Sequence, residues 1–542
     1  MTRDTKINFR CIPKTSALLL DYLYQFPRLE PYFSYPYSLD SFRRDQMTDG
    51  HLRAEDRERL CEALLDQNRG FGAGERTLEN IQRLKDLDCV AVVTGQQAGL
   101  FTGPAYTVHK ALTAIKLSLH YGCRGLKAVP VFWIATEDHD VAEVDHCYLA
   151  DENGIVRVHY ESNPDDLQRP IGSLPFGPTI EDILQQFLAV LPDSEFKPEL
   201  ESWLKDSYRP GNTFGQAFAQ VFSRLFSNYG LILLDPRDRR FRESLQPLFK
   251  RVLHSCARYR EELKERNRGL VASGYHAQVE LDDDSTFLFV ETRGRRQPLL
   301  QRNGRLVVRG SEDSKTVEEV DQWLENSPEV FSPNVVLRPL AQDTLLPTLT
   351  YVAGPSEIAY LAQVEPLYRD QDRKMPIVFP RASFSVIERK AAKVLDKYRI
   401  QFCDVFQGAE TVFRKVIETT VDQSIAKRFD QIDQDFNRML SELEVPLRSV
   451  DPTLAEALKT TQQKVLYQVT NLRTKFIHAE SRHHDVLTRQ IERVLSLLYP
   501  LKAPQERRLN IFYFLSRYGM DFLAQLFDEI DLTDPDHRLL YL

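Results

Sequence analysis

A Rossmann-like, doubly wound α/β core with two insertions and a long antiparallel α-helical coiled-coil arm is the architecture this sequence predicts. Three observations predict it. Short apolar runs alternate with amphipathic helical stretches from about residue 88 to residue 380, as in parallel strands joined by helical crossovers. Two glycine-containing loops run into Gly-Pro and then a helix, at Gly103-Pro104 and Gly354-Pro355. Beyond residue 420 the apolar positions Ile425, Phe429, Ile432, Phe436, Met439 and Leu443 step by 4, 3, 4, 3 and 4, a heptad seam.

The bulk composition agrees with this reading. The 542 residues are 42% hydrophobic and 27% charged, a globular balance in a chain long enough for two or three domains. The net charge of -8 gives no basic footprint, so nucleic acid is not an expected partner. Cys11, Cys61, Cys89, Cys123, Cys147, Cys256 and Cys403 are scattered singly, with no CxxC pair, which favours a reducing cytoplasm. The opening "MTRDTKINFR" lacks an apolar signal region, and no run approaches the roughly 20 apolar residues of a membrane helix. The expectation is a cytoplasmic protein without a membrane partner.

The elements follow in order. "LRAEDRERLCEALLDQNRG" is an amphipathic helix, with Gly70 as its stop. "DCVAVVT" reads as a strand covered on both faces. The helix "AYTVHKALTAIKLSLHY" places Val108, Leu112, Ile115 and Leu119 on one face, with Gly122 as its C-cap. "AVPVFWIA" is the second strand and completes a βαβ unit. Later come the helix "TFGQAFAQVFSRLFSNYG" and the strands "LILLDP", "NVVLRPL", "LTYVAGP" and "MPIVFP". The core spans residues 1–385. Its insertions are about 150–210, rich in Pro, Asp and Gly, and about 240–332, with a polar helix and the strands "HAQVEL", "TFLFVET" and "RLVVRG". The arm spans 386–499. Asp451 caps its second helix and Pro452 takes the first helical position. Val465, Val469, Leu472 and Phe476, then Leu487, Ile491, Val494 and Leu498, continue the apolar spacing. Such a helix is on the order of 70 Å long at 1.5 Å per residue. Two helices cannot cover both flanks of an apolar stripe, so a homodimer through the arm is expected. Residues 500–542 return to the core.

Four constellations could carry chemistry. In "VTGQQAGLFTGPAYTVHK", Gly95, Gly99 and Gly103 let backbone N–H groups close on an anion at a helix N-terminus. Thr94, Gln96, Gln97 and Thr102 add neutral hydrogen bonds, Tyr106 opens the helix, and Lys110 lies within reach of a phosphate. The spacing matches neither GxxxxGK[ST] nor GxGxxG, and a tight packing turn is the plainer alternative. The second is "ATEDHDVAEVDH", which follows the strand holding Trp133 and sits at the sheet's carboxyl edge. Glu137, Asp138, His139 and Asp140 could hold a metal or an ammonium, or act as a base. His139, His146 and Cys147 lack the thiolate set of a zinc site. The third, "LRPLAQDTLLPTLTYVAGPSEIAYLAQ", offers Arg338, Gln342, Gly354, Glu357 and Tyr360 beside a second helix start. The fourth pairs "FPRAS" with "APQERRLNIFYF": Arg381 closes the last core strand, Glu506, Arg507 and Asn510 are expected on one face of a helix returning from the arm, and the four could meet a nucleotide between arm and core, or form an interdomain salt bridge.

These motifs, in this order and over essentially the whole chain, resemble the BshC family, cysteine ligases of bacillithiol biosynthesis. The resemblance implies an ATP-dependent ligase that joins cysteine to glucosaminyl-malate, with Mg2+ accompanying the nucleotide and either ADP or AMP as product. It implies a coiled-coil homodimer and carries functional weight onto Gly95, Gln96, Gln97, Gly99, Gly103, Pro104, Tyr106 and Lys110, onto Glu137 to Asp140, onto Arg338, Gln342, Gly354, Glu357 and Tyr360, and onto Arg381, Glu506 and Arg507. Thr136 and Ser356 depart from the pattern, standing where glycine is expected. In that chemistry His139 with Asp138 would deprotonate the sugar amine, while Lys110 and Arg381 would steady charge on phosphate. The alternative from the residues alone is a nucleotide-binding coiled-coil scaffold without catalysis. A transferase using a nucleotide sugar would also place an acidic cluster after a strand.

Overall fold

The computed structural model describes residues 4–39, 52–163, 166, 168–420, 423–483 and 485–542. Its strands, in chain order, are β1 (Lys6–Ile7), β2 (Val90–Gln96), β3 (Ala128–Ile134), β4 (His146–Ala150), β5 (Ile155–His159), β6 (Ile232–Leu234), β7 (Ser285–Thr292) and β8 (Arg295–Arg302). They continue with β9 (Arg305–Val308), β10 (Ser314–Lys315), β11 (Phe331–Pro333), β12 (Thr348–Ala353), β13 (Ile377–Pro380), β14 (Phe384–Ile387) and β15 (His537–Tyr541). The central sheet is parallel, with the order β13-β12-β2-β3-β6. The chain builds outward from β2 to β3 and β6, then returns to the other side for β12 and β13. A switch point therefore lies between β2 and β12, where open α/β sheets leave a crevice at the strand C-termini.

Alternation along the strands explains how both faces are covered. Val93, Val131, Trp133 and Leu234 pack with the helices Arg239–Ala272 and Pro355–Asp370. Phe132, Ile134 and Leu233 face the opposite way, against the helices Tyr106–Cys123 and Phe214–Leu225. Each fully buried large apolar side chain contributes about 1.5–3 kcal/mol. The two Gly-Pro helices thus flank the switch point from opposite faces.

Several local expectations are corrected. The helix Tyr106–Cys123 is buried nearly all round, yet Leu119 is 56% exposed. Gly122 lies inside that helix, and Gly125, at φ +80°, makes the left-handed turn beyond it. Gly70 likewise ends the helix Ala54–Gly70 from within, and Gly72 takes the positive φ. "NVVLRPL" is not a strand: Asn334 accepts hydrogen bonds from the amides of Val336 and Leu337, and the helix Arg338–Leu345 follows. "HAQVEL" forms no strand either, while the unanticipated β8 lies between β7 and β9 in an antiparallel sheet of order β10-β9-β8-β7-β11. The helix Arg239–Ala272 carries a buried apolar stripe through Phe241, Leu245, Phe249, Val252 and Leu263, so it belongs to the core. The stretch 150–210 completes the β4–β5 hairpin and adds the helices Ile180–Val190 and Lys197–Ser207.

Past the core, β14 and β15 pair in parallel and β1 joins β15 antiparallel, so the chain's last strand sits between its first and its fourteenth. Between β14 and the final segment, the helices Gln423–Glu442 and Pro452–His483 pack side by side. Phe429 meets Phe476 at 6.0 Å between ring centroids, and Gln462 donates to Asn437. Asp451 caps the second of these by accepting from the Thr453 amide. The side chains of Ile425 and Leu487 lie outside the described residues. On this arm Met439, Leu443, Val445, Tyr467 and Leu472 are exposed.

Candidate functional site

The crevice at the switch point opens into a cavity of about 1210 Å³. Gly95, Gln96 and Gln97 come from the end of β2, Trp133 from β3 and Gly354 from the turn after β12. Arg296 and Phe289 reach it from the antiparallel sheet, and Arg507 and Arg508 from the returning C-terminal segment. Five segments of the chain thus build one wall.

Beneath the two helix starts, charge is already paired. Lys110 is 2% exposed and donates to the Gly95 carbonyl (2.7 Å) and Gln96 Oε1 (3.0 Å). Its Nζ lies 2.5 Å from Glu357 Oε2. Burial pulls the Lys110 pKa down, and Glu357 opposes that. Burial pushes Glu357 up, but Lys110 outweighs it and the carboxyl ends below its usual range. Glu357 also accepts from the Gly354 amide (2.7 Å) and the Tyr351 hydroxyl (2.6 Å), so the second helix tip is capped by its own acid. Arg338 bonds Gln342 (3.0 Å), Tyr351 (3.2 Å) and Tyr360 (2.9 Å), which spends its fork on holding this wall. The first helix tip closes on itself as well. The amides of Gly99, Thr102 and Gly103 donate to the carbonyls of Gln97, Gly99 and Leu100. A cage of backbone amides for an anion, as the loop's composition suggested, is therefore not formed there.

The acidic motif divides. Glu137 is buried against Arg242. Asp138 accepts from Gln97 (2.5 Å) and from the His139 amide (2.7 Å), and it lines the cavity. Asp140 is exposed and off the wall. His139 lines the cavity, but Arg296 Nη1 stands 3.2 Å from its Nδ1. Arginine can only donate, so Nδ1 is the acceptor and the ring's proton sits on Nε2. Burial, then Arg296, lowers the His139 pKa. In this arrangement His139 presents a donor to the cavity, not the base expected of it.

Other predicted residues support the wall from behind. Thr94 donates to the Val352 carbonyl, joining β2 to β12. Gly99 packs against Gly103, where a Cβ would meet the Gly103 Cα at 2.9 Å. Thr102, Gly103 and Gln342 are also off the cavity, and Asn510 donates to the carbonyls of Phe101 and Gly103, clamping the loop. Glu506 and Asn510 do not share a helix face, because Gln505–Arg507 is a single 3-10 turn and the helix begins at Phe512. Glu506 is a buried hub. It accepts from Arg381 (2.7 Å), Ser383 (2.7 Å) and the Phe384 amide (2.9 Å), and His109 Nδ1 lies 3.0 Å away. Burial pushes its carboxyl up, but Arg381 and His109 hold it well below the usual carboxylate range. Arg381 lines the cavity and lies over the Tyr106 ring, with Arg507 over the same ring. Thr136, fully buried, fills the space left by Gly172 and Gly215, which explains a side chain where glycine was expected. Ser356 is exposed at the cavity's edge.

Sequence reasoning missed Arg296, Asp145, Tyr148 and Arg508. Arg508 stood beside Arg507 in "QERR", but nothing in the sequence ties Arg296 to this edge. Arg508 Nε and Trp133 Nε1 are buried and have no hydrogen-bond partner among the described residues. Both residues line the cavity. Among the described residues no group of three or more His, Cys, Asp or Glu could hold a metal ion. No described helix is long and apolar enough to cross a membrane.

The family model described as "Bacillithiol biosynthesis BshC, N-terminal Rossmann-like domain" matches residues 6–382, and its companion "C-terminal coiled-coil domain" matches 384–542. A protein of Salinibacter ruber named "Putative cysteine ligase BshC" is 35% identical over 96% of each chain. One of the same name from Koribacter versatilis is 35% identical over 98% of each. A third, from Bacillus cereus, is 29% identical over 97% of this chain and 98% of its own. By these matches, which leave almost no residue uncovered, the chain belongs to the BshC family.

Proposed function

We propose that this chain is an ATP-dependent cysteine ligase that joins cysteine to glucosaminyl-malate, the last step of bacillithiol biosynthesis. The observation that carries the reading is the switch-point cavity, with unspent donors on its wall, in a chain whose relatives bear the name cysteine ligase. A carboxylate is a poor acyl donor at neutral pH, so cysteine must be activated. Its carboxylate attacks the α-phosphorus of ATP, pyrophosphate leaves, and an adenylate forms. The sugar amine then attacks the acyl carbon, and AMP departs with the electrons of the broken C–O bond. Lys110 and Arg381 are already neutralised by Glu357 and Glu506, so Arg507 and Arg508 are the cations this reading assigns to phosphate. Asp138, on the same wall, suits the cysteine ammonium. Mg2+ would arrive on the nucleotide's own oxygens.

The reading includes a cytoplasmic homodimer, a core to residue 385, an arm over 386–499 and a return over 500–542. We take the arm as an antiparallel coiled coil, supported by contacts in which higher numbers on one helix meet lower numbers on the other: Phe429 with Phe476, and Asn437 with Gln462. The exposed Met439, Leu443 and Leu472 are its dimer contact.

The test is reconstitution. Purified chain with cysteine, ATP, Mg2+ and glucosaminyl-malate should yield the cysteinyl amide by mass spectrometry, and cysteine should stimulate exchange of pyrophosphate into ATP. Absence of both overturns the proposal.

A further inference from the structure

His146 and Asp145 form a pair that no step above uses. Strand β4 begins at His146, and its antiparallel partner β5 ends at His159, which sits directly across. His146 Nδ1 lies 2.8 Å from Asp145 Oδ1, and Asp145 Oδ2 lies 3.1 Å from His159 Nε2. A carboxylate only accepts, so the His146 proton resides on Nδ1 and the lone pair on Nε2. That nitrogen has no partner among the described residues, and His146 lines the cavity. The contrast with His139 is one of tautomer. Arg296 fills the lone pair of His139 and turns its N–H outward, whereas Asp145 binds the N–H of His146 and leaves it a base.

The surroundings fit that role. The His146 ring meets Tyr148 edge-on at 5.2 Å, and Arg508 lies over the other ring at 5.5 Å. Tyr148 bridges to Leu509, and the Asn510 amide donates to the Tyr148 carbonyl (2.9 Å), which fixes β4 against the returning segment. Through Tyr148 the base is thus held next to Arg508, one of the cations assigned above to phosphate.

We propose that His146, oriented by Asp145, is the general base that takes the proton from the attacking amine during amide formation. This rests on the ligase reading. The amine's lone pair forms the C–N bond, the acyl–oxygen bond breaks toward the phosphate, and the amine proton passes to His146 Nε2 and then to water. Asp145 is a positioning residue: it fixes the tautomer and steadies the imidazolium.

The experiment separates the two halves of the reaction. H146G and H146Q should slow amide formation about 100-fold, the lower end for general-base catalysis, and leave cysteine-dependent pyrophosphate exchange within about twofold. Added imidazole should restore amide formation to H146G but not to H146Q, whose side chain fills the site. D145N should fall almost as far in kcat with KM little changed, and D145E should recover part of it. If both His146 variants keep wild-type amide formation, or lose exchange and amide formation together with no rescue by imidazole, the assignment is overturned. A wild-type chain that supports neither half-reaction instead overturns the ligase reading itself.

Discussion

The crevice and the arm handle charge and apolar surface in opposite ways. In the crevice, Lys110, Glu357, Arg381 and Glu506 are buried or nearly so, and each has an ionic partner, because an unpaired charge there would cost several kcal/mol. On the arm, apolar side chains such as Tyr467 and Leu472 stand 63% and 60% exposed, and charge is left to short surface pairs such as Arg448–Glu444. The crevice pairs its charges within one chain; the arm leaves apolar side chains open to solvent. Pairing in the crevice joins distant segments, as Arg381 and Glu506 are 125 residues apart, whereas the arm's stripe repeats locally.

The largest test of that contrast removes the hub. Glu506→Ala leaves Arg381 and His109 buried without their carboxylate and should cost about 3–5 kcal/mol in urea unfolding. A loss under about 1 kcal/mol would show that the crevice does not depend on its pairing.

Acid should attack the same network. Ser383 gives its single proton to Glu506, so it accepts from His537 Nδ1–H, and His537 Nε2 accepts from Ser385. Burial lowers the His537 pKa from 6.5 to about 4. The folded state therefore resists a proton that the unfolded chain takes up, and stability falls as pH drops from about 6.5 to about 4, by roughly 3 kcal/mol. Glu506, depressed in pKa, loses its contribution in the same direction, at lower pH. His537→Gln should remove most of the loss between pH 6.5 and 4.5 when thermal midpoints are followed against pH; an unchanged slope would count against this origin.

Smaller effects sharpen the other side. Met439→Lys with Leu443→Lys should weaken self-association at least tenfold in sedimentation and leave the melting of the core in place. If the doubly substituted chain associates as before, the exposed stripe is not the contact. Arg507→Ala, on an exposed residue, should change stability by no more than about 0.5 kcal/mol yet weaken nucleotide affinity about tenfold, about 1.4 kcal/mol. Calorimetric titration with an ATP analogue checks this.

What the sequence revealed follows the same divide. Period and punctuation are local, so the parallel strands, the Gly-Pro helix starts and the heptad stripe could all be read. The Arg381–Glu506 ion pair was legible as one of two alternatives, but the hub around it was not, because Ser383 and His109 converge on Glu506 only after folding. The glycine loop misled for a physical reason: it is shaped to close on its own carbonyls and on Asn510, a residue more than 400 positions away. The roles of His139 and His146 depend on which nitrogen faces Arg296 or Asp145, and no spacing rule contains that information. Leu119 appeared to belong to the buried face by periodicity, but the helix is buried on other sides and turns that position outward.

The central claim is that the switch-point crevice is where cysteine is activated and joined. A crystal soaked with cysteine and a non-hydrolysable ATP analogue tests it most directly. The account predicts electron density between Asp138, Trp133 and the Arg507–Arg508 pair, with phosphate oxygens near those guanidinium groups. An empty crevice, with both ligands ordered elsewhere on the chain, would contradict it.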